Sequence, residues 1–341
     1  MVLLVKRSVL IVSLFLVALS MAYMLIDHLE SRSAESHQFK AQLSSYKTIN
    51  DEAHSSVSWG ALSGLSADFN NVEGLYAVND NFYKKAEILK IDVSSNPARI
   101  VDAVRIKDKG KNAKHLDLEG IAQAPDGSFW VVSEGRDQDK RKEKSSSDNL
   151  LIQVSSDGEI LSKVKLPSAL RANKVKYGFE GVAVDGKHVV IAIQRPWKDD
   201  SKKLTKLAIF DTEKKSWQFV LYPLDKVKGK KTWVGLSDIT AMGDGKFMVL
   251  ERDNQAWDKA IVKRIYKIDL NTTAHKSYGE KLNVLNKQLI KDLIPALSAL
   301  TPKTPGKLEG LAMTKSGKLF VAIDRDGVEN KPDQAVIFRV D

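Results

Sequence analysis

The chain contains no cysteine. A disulfide framework, thiol catalysis and cysteine-bound zinc are therefore excluded together. Histidine is scarce as well, at six in 341 residues, and His115, beside one of the motifs below, reads as structural rather than as a ligand. No nucleophile elbow, P-loop or dinucleotide fingerprint is present, so those chemistries have no local support. No pattern of helices alternating with strands suggests a parallel sheet, and neither a recognition helix nor an RNP-type strand suggests nucleic acid as a partner. What is present is ordinary for a globular protein: 43% hydrophobic and 28% charged residues, in a chain long enough for a substantial core.

The first thirty residues speak to location. Lys6 and Arg7 precede an apolar run over residues 8–26, which ends at Asp27 and His28. A helix needs about 20 residues to cross a bilayer, so residues 1–30 read as a signal anchor or a signal peptide. Ala18-Leu19-Ser20 and Ser20-Met21-Ala22 fit small-x-small cleavage sites. Apolar character continues past both sites through Met24, Leu25 and Ile26, which favours an uncleaved anchor. Either way, the positive flank puts the rest of the chain outside the cytoplasm. The expectation is a periplasmic or extracytoplasmic protein held in the inner membrane by residues 8–26, with the membrane as a partner through that segment.

The net charge is +10. Much of the excess lies in short lysine runs between apolar segments, as at Lys140-Arg141-Lys142, Lys202-Lys203 and Lys226 to Lys231. These read as solvated loops, or as a basic surface that attracts anionic lipid, polysaccharide or a phosphorylated substrate.

The strongest signal is an internal repeat. Five segments share one pattern at intervals of about 60 residues: Leu62-Ser63-Gly64-Leu65, Leu118-Glu119-Gly120-Ile121, Phe179-Glu180-Gly181-Val182, Leu236-Ser237-Asp238-Ile239 and Leu308-Glu309-Gly310-Leu311. Each is followed by a second strand, at residues 74–78, 129–133, 188–193, 247–250 and 319–323. Asp126-Gly127, Asp185-Gly186, Asp244-Gly245 and Ser316-Gly317 supply hairpin turns. Third and fourth strands follow in most copies. Four antiparallel strands repeated at blade length predict an all-β fold, a β-propeller of four-stranded blades following an N-terminal hydrophobic helix. The count is five, with six as the alternative. The propeller spans residues 49–341. Residues 31–48 are a linker whose end, around residues 39–46, supplies the strand missing from the last copy. Leu282, Leu285, Leu289, Leu293 and Ile294 recur at helical spacing before Pro295, predicting a helical insertion at about 280–300.

In a propeller a fixed place in every innermost strand forms a ring around the channel. Glu119, Glu180 and Glu309 share such a place, completed by Ser63 and Ser237. The second-strand ends add Asp80, Glu134, Glu251 and Asp324, with Arg195, Arg252 and Arg325 nearby and Gln194 where the third copy would carry an acid. If these ends open on the same face, acids and arginines converge on one mouth. Carboxylates that close cannot all remain charged without a cation or arginine partners. Two readings follow: inter-blade ion pairs that hold the ring together, or a metal or substrate site. For a metal, Glu119, Glu180, Glu309, Asp80, Glu134, Glu251 and Asp324 are the candidate ligands, and an all-oxygen set favours Ca²⁺ or Mg²⁺.

Asp117-Leu118-Glu119-Gly120 with Ser133-Glu134, Gly178-Phe179-Glu180-Gly181, Leu236-Ser237-Asp238 with Glu251-Arg252-Asp253, and Leu308-Glu309-Gly310 with Asp324 resemble, in order, the phytase-like family, also described by an esterase-like activity of phytase. The resemblance covers residues 59–340 and implies an exported β-propeller with phosphoester hydrolysis. The Glu-Gly copies are also similar, more weakly, to the SdiA-regulated family of anchored propellers. Gln194 departs from an acidic ring. The first function expected is a metal-assisted phosphoric ester hydrolase, with Glu119, Glu180 and Glu309 holding the cation or serving as base, and Arg252 and Arg325 binding phosphoryl oxygens. The second is a non-catalytic envelope binding or scaffold protein that uses the same pocket.

Overall fold

The computed structural model describes residues 45–50, 60–95, 98–134, 148–229, 231–300, 306–324 and 335–340. Five four-stranded blades form the propeller, so the alternative count of six falls away. From inside outward, blade 1 is Leu62–Ala67, Gly74–Asn79, Glu87–Asp92 and Ala98–Arg105. Blade 2 is Leu118–Gln123, Phe129–Ser133, Leu150–Val154 and Ile160–Lys165. Blade 3 is Phe179–Asp185, His188–Ile193, Leu204–Asp211 and Ser216–Pro223, and blade 4 is Val234–Gly243, Lys246–Asp253, Lys263–Asp269 and Lys287–Asp292. Blade 5 is Leu308–Met313, Leu319–Asp324, Ala335–Val340 and Ser45–Asn50. Its outermost strand comes from the N-terminal side, pairing Ser45 with Arg339 and Thr48 with Val336. Ile49 also pairs with Ala98 of blade 1, so this strand ties the last blade to the first.

The strand sequences record these positions. Inner and second strands such as Leu62–Ala67 and Gly74–Asn79 are buried at every residue, because both faces of a blade pack on its neighbours. The outer strand Ile160–Lys165 instead alternates between half-buried and exposed residues, as a strand with one wet face should. Apolar clusters fill the spaces between blades. One joins Ile88, Ile121 and Phe129 of blades 1 and 2, and another joins Val190, Leu207 and Val249 of blades 3 and 4.

The segment predicted as a helical insertion holds a strand followed by a shorter helix. Lys287–Asp292 is the outer strand of blade 4, paired with residues 264–268, and the helix is confined to Ile294–Leu300. The leucine spacing is not one helical face: Leu285 is buried while Leu289 is half exposed. Pro295 sits in the first turn of the short helix, where its missing N–H costs nothing. Asp292 Oδ1 accepts the Ile294 N–H at 3.1 Å at the start of this helix.

Among the described residues no helix is long and apolar enough to cross a membrane. Residues 8–26, the linker up to residue 44 and Arg325 lie outside the described residues.

Candidate functional site

The repeated motif makes the same backbone irregularity in every blade. Register shifts between Leu62 and Gly64, Leu118 and Gly120, Phe179 and Val182, Leu236 and Asp238, and Leu308 and Gly310. A bulge of this kind adds one residue to a strand and re-aims its side chain. The bulges lie at Ser63, Glu119, Glu180, Ser237 and Glu309. Four of these five line a cavity of about 490 Å³, and Ser237 hydrogen-bonds to Arg252, which lines it too.

The glycine that follows seals the floor. A Cβ on Gly64 would stand 2.7 Å from Gly120 Cα, and one on Gly120 would stand 2.3 Å from the Glu180 carbonyl oxygen. Inner strands can approach that closely only without a side chain. The fourth copy carries Asp238 instead, fully buried on the axis. Its Oδ2 accepts the Leu311 N–H at 2.6 Å and the Leu65 N–H at 3.4 Å, while Oδ1 accepts the Ile239 N–H at 2.8 Å. Burial holds its carboxyl well above the usual range, against those three donors. Below this collar lies a separate small cavity lined by Leu65, Ile121, Val182 and Ile239.

The second-strand ends form a further ring, and the pairing register defines it. Asn79, Ser133, Ile193, Glu251 and Ile323 each pair with the first residue of the motif. The next residue in each strand, Asp80, Glu134, Gln194, Arg252 or Asp324, lines the cavity. Glu251 is therefore one residue out of place as a member of the acidic ring, and one residue in a strand is the opposite face. It is buried at the junction of blades 3 and 4, accepting from Tyr222 Oη at 2.8 Å, the Asp225 N–H at 2.6 Å and Lys287 Nζ at 2.5 Å. Arg252 takes the place in the ring. Arg195 does not line the cavity; it stacks 4.4 Å from the Tyr177 ring centroid and 4.5 Å from that of Trp233.

The cavity is one-sided. Blade 2 contributes Glu119 and Glu134, and the residue before its motif is Asp117. One oxygen from each of these three carboxylates lies within 4.8 Å of the others. Backbone N–H groups take one further oxygen contact apiece: Gly178 donates to Glu134 Oε1 at 2.7 Å and Asn81 to Asp117 Oδ1 at 3.2 Å. Among the described residues no lysine or arginine forms an ion pair with any of the three. Burial, then the charges of Glu180, Asp117 and Glu134, push the Glu119 carboxyl well above its usual range. Burial outweighs the Gly178 N–H at Glu134 and raises it to about 7. Asp80, which accepts the Phe82 N–H at 2.7 Å, is raised to about 6 by burial, with Asp324 and Asp117 adding to the effect.

Blade 4 faces this acidic wall with a cation. Arg252 donates through Nε to Ser237 Oγ at 2.8 Å and pairs closely with Glu309 of blade 5. Burial opposes its charge, but Glu309 and Glu180 hold its pKa above the ordinary value. Glu180 is raised well above its usual range by burial and then by Glu309 and Glu134, with Arg252 opposing. Lys307 pairs with Asp324 at 3.1 Å. Glu309 and Asp324 belong to ion pairs, as the ion-pair reading expects; among the described residues the blade 2 acids belong to none. Asp117 is the member that strand-end reasoning missed, although it precedes the motif directly. Glu309 Oε2 and Gln194 Oε1, on residues more than nine-tenths buried at the cavity wall, have no hydrogen-bond partner among the described residues.

An all-oxygen donor set with unbalanced negative charge fits a hard divalent cation. The residues that fit it are Asp117, Glu119 and Glu134. A five-bladed propeller with an acidic, one-mouthed pocket is the class that fold and site define. Residues 57–340 match the family described as Phytase-like: Esterase-like activity of phytase, and the chain belongs to that family. No curated protein matched the chain. Similar solved structures include a luciferin-regenerating enzyme, 12% identical over 83% of this chain and 91% of that one, TM-score 0.42. A gluconolactonase from Xanthomonas campestris is 10% identical over 82% and 72%, TM-score 0.39, and a glucose dehydrogenase 9% identical over 83% and 98%, TM-score 0.39. Similarity at this level says nothing of the chemistry of this chain.

Proposed function

We propose that the pocket hydrolyses a phosphoric ester with the help of Ca²⁺ or Mg²⁺ held by Asp117, Glu119 and Glu134. The observation that carries this reading is the blade 2 triad, which makes no ion pair among the described residues and places Glu119 and Glu134 in the cavity that Arg252 also lines. Bound there, the ion would polarise a phosphoryl oxygen and lower the pKa of a coordinated water. Of its five N–H donors, Arg252 spends one on Ser237 and another on Glu309. The rest suit phosphoryl oxygens, for which a planar guanidinium is well shaped. Lys176, exposed at the rim, adds a second positive charge. Glu180 lies between the two walls, and burial with its carboxylate neighbours raises its pKa above the usual range, which suits a group that holds and passes on a proton. It takes a proton from water as the oxygen attacks phosphorus, and returns one to the departing alcohol oxygen as the ester P–O bond breaks. Glu309 acts through Arg252, which it orients, so it is a positioning residue.

The apolar segment at residues 8–26 with its basic flank supports an extracytoplasmic, inner-membrane-anchored location for this activity. Fractionation of cells carrying the full chain tests it: recovery in the cytoplasmic soluble fraction would contradict it.

The activity is tested by assaying phosphoesters with Ca²⁺, Mg²⁺ or chelator, alongside the melting temperature. Metal-dependent turnover lost in Glu180→Gln is expected, with a metal-induced rise in melting temperature that Glu119→Gln removes. A metal-induced rise without turnover would leave a binding protein. Neither turnover nor a rise would sink the reading.

A further inference from the structure

The loops that line the cavity also turn residues away from it, and what they turn outward is apolar and basic. Asp80 lines the cavity and starts a single 3-10 turn, Asn81–Tyr83. It accepts the Phe82 N–H at 2.7 Å, and Lys84 closes the turn in a left-handed conformation at φ 56°. The turn is fixed at both ends and holds Phe82 45% exposed, edge-on to Tyr83 at 5.1 Å. Asn254 lines the cavity too and begins a second loop, on which Ile261 is 48% exposed. At the base of that loop Asp253 and Lys263 form a fully buried ion pair at 2.7 Å. Asp253 Oδ2 also accepts the Ile261 and Val262 N–H groups at 2.6 and 2.9 Å. A buried charge pair is costly to assemble, and this one braces a loop that leaves an isoleucine in water.

Lys84, Lys176, Lys198, Lys228, Lys231 and Lys259 are exposed on loops that contribute lining residues to the same mouth. None of the six forms an ion pair among the described residues. The turns at the opposite end of the inner strands are mixed instead, with Glu73, Asp126, Asp185 and Asp244 among Lys187, Lys246 and Lys315. Phe69 and Val72 are exposed there, but the acids beside them would meet an anionic surface with like charge. A single exposed apolar residue needs no explanation. Two of them, on braced loops at one mouth and set among lysines, match a surface that settles into a headgroup layer.

We infer that the face carrying the mouth docks on an anionic lipid bilayer, with Phe82 and Ile261 entering the headgroup layer and the lysines meeting lipid phosphates. Charge complementarity and apolar exposure together name the occupant. A basic ring attracts any polyanion, whereas a bilayer also takes up the two apolar side chains. The apolar run at residues 8–26 keeps such a bilayer within reach, since residues 27–44 can span at most about 60 Å. The proposal rests on the extracytoplasmic reading for which membrane is met, and on nothing in the catalytic one.

The chain has no cysteine, so one introduced cysteine carries one label. Phe82→Cys, Ile261→Cys and, on the opposite turns, Lys315→Cys are labelled with bimane in the full chain. Each is reconstituted into phosphatidylcholine vesicles with or without phosphatidylglycerol. Quenching by nitroxide-bearing lipid should be about twofold stronger at residues 82 and 261 when the anionic lipid is present, and absent at residue 315. High salt, or Lys84→Glu with Lys259→Glu, should remove that gain. Quenching at residue 315 instead, or at none of the three, overturns the proposal. So does protection of residues 82 and 261 from aqueous iodide by dextran sulfate without lipid quenching, which would mark a polyanion site. Melting temperatures check each variant, and labels on two separate loops keep the face testable if one variant misfolds. Retention by the vesicles in high salt reports the anchor; a chain that washes off overturns the anchor alone, and the same labels with vesicles added at low salt then decide the face. Lipid quenching without phosphoester turnover upholds the docking and overturns the catalytic reading. Turnover of soluble phosphoesters without lipid quenching does the reverse.

Discussion

Blades 2 and 4 are built on the same four-strand plan, yet they bring opposite charge to the shared cavity. At three equivalent places, before the motif, in its bulge and at the second-strand end, blade 2 carries Asp117, Glu119 and Glu134, and blade 4 carries Gly235, Ser237 and Arg252. Blade 4 also replaces the motif glycine with Asp238, which bonds across the axis to blades 1 and 5. The backbone repeat fixes where a side chain points; the residue chosen there fixes what the place does. One blade has been left with unbalanced charge, and the other supplies the counter-charge and the plug.

The sharpest way to break this contrast is Arg252→Met. It leaves Glu309 and Glu180 buried without their cation and should cost about 3–5 kcal/mol in urea unfolding. Adding Glu309→Gln should recover much of that loss, and strictly additive losses would show that the pair is not coupled. Glu251→Gln comes next, at about 2 kcal/mol, because Lys287 loses the more buried of its two carboxylate partners and keeps only Asp225. It should leave the metal-induced rise in melting temperature intact, since Glu251 faces the blade 3 junction. Loss of that rise would return Glu251 to the pocket.

A subtler prediction concerns pH in chelator-treated protein. Glu134 titrates at about 7 and Asp80 at about 6 in the folded chain, above their ordinary values of 4.5 and 3.8. Between those ordinary values and about pH 7 the folded state holds protons that the unfolded state releases. Stability should therefore fall as pH rises through this window, and Glu119, Glu180 and Asp238, also raised, add to the fall. Glu134→Gln should flatten the fall, whereas saturating Ca²⁺ should reverse it, because the ion binds the deprotonated carboxylates. A flat profile in the untreated wild-type and chelated chain alike would argue that these acids are not packed as described. The smallest effect belongs to Lys176→Gln. Stability should stay within about 0.5 kcal/mol, while phosphate affinity drops two- to threefold at low salt and less at high salt.

Much of this architecture was legible because the motif recurs with its glycine, and a glycine that meets backbone cannot be replaced silently. The ring of bulged residues followed directly. The second ring was legible only to within one residue. Counting from the end of an apolar run selects Glu251, since Leu250-Glu251 looks like the end of a strand. Counting from the paired motif residue selects Arg252. The bulge adds a residue to one strand and not to its partner, so parity along one strand does not carry across to the next. Asp117 was hidden for a related reason: its place is occupied by Ala61, Gly178, Gly235 and Lys307 in the other blades, and no common chemistry marks it. The outer strand Lys287–Asp292 was mistaken for helix because half-exposed outer strands carry too few apolar residues to show a period of two.

The collar of close-packed glycines and Asp238 decides how anything can travel through the molecule. An open propeller channel would let cargo pass from one face to the other. Here the bore is stopped, so entry and exit share a single doorway. A product of the proposed reaction would leave by the doorway its substrate entered, and a long polymer could present only an end or a protruding group to it.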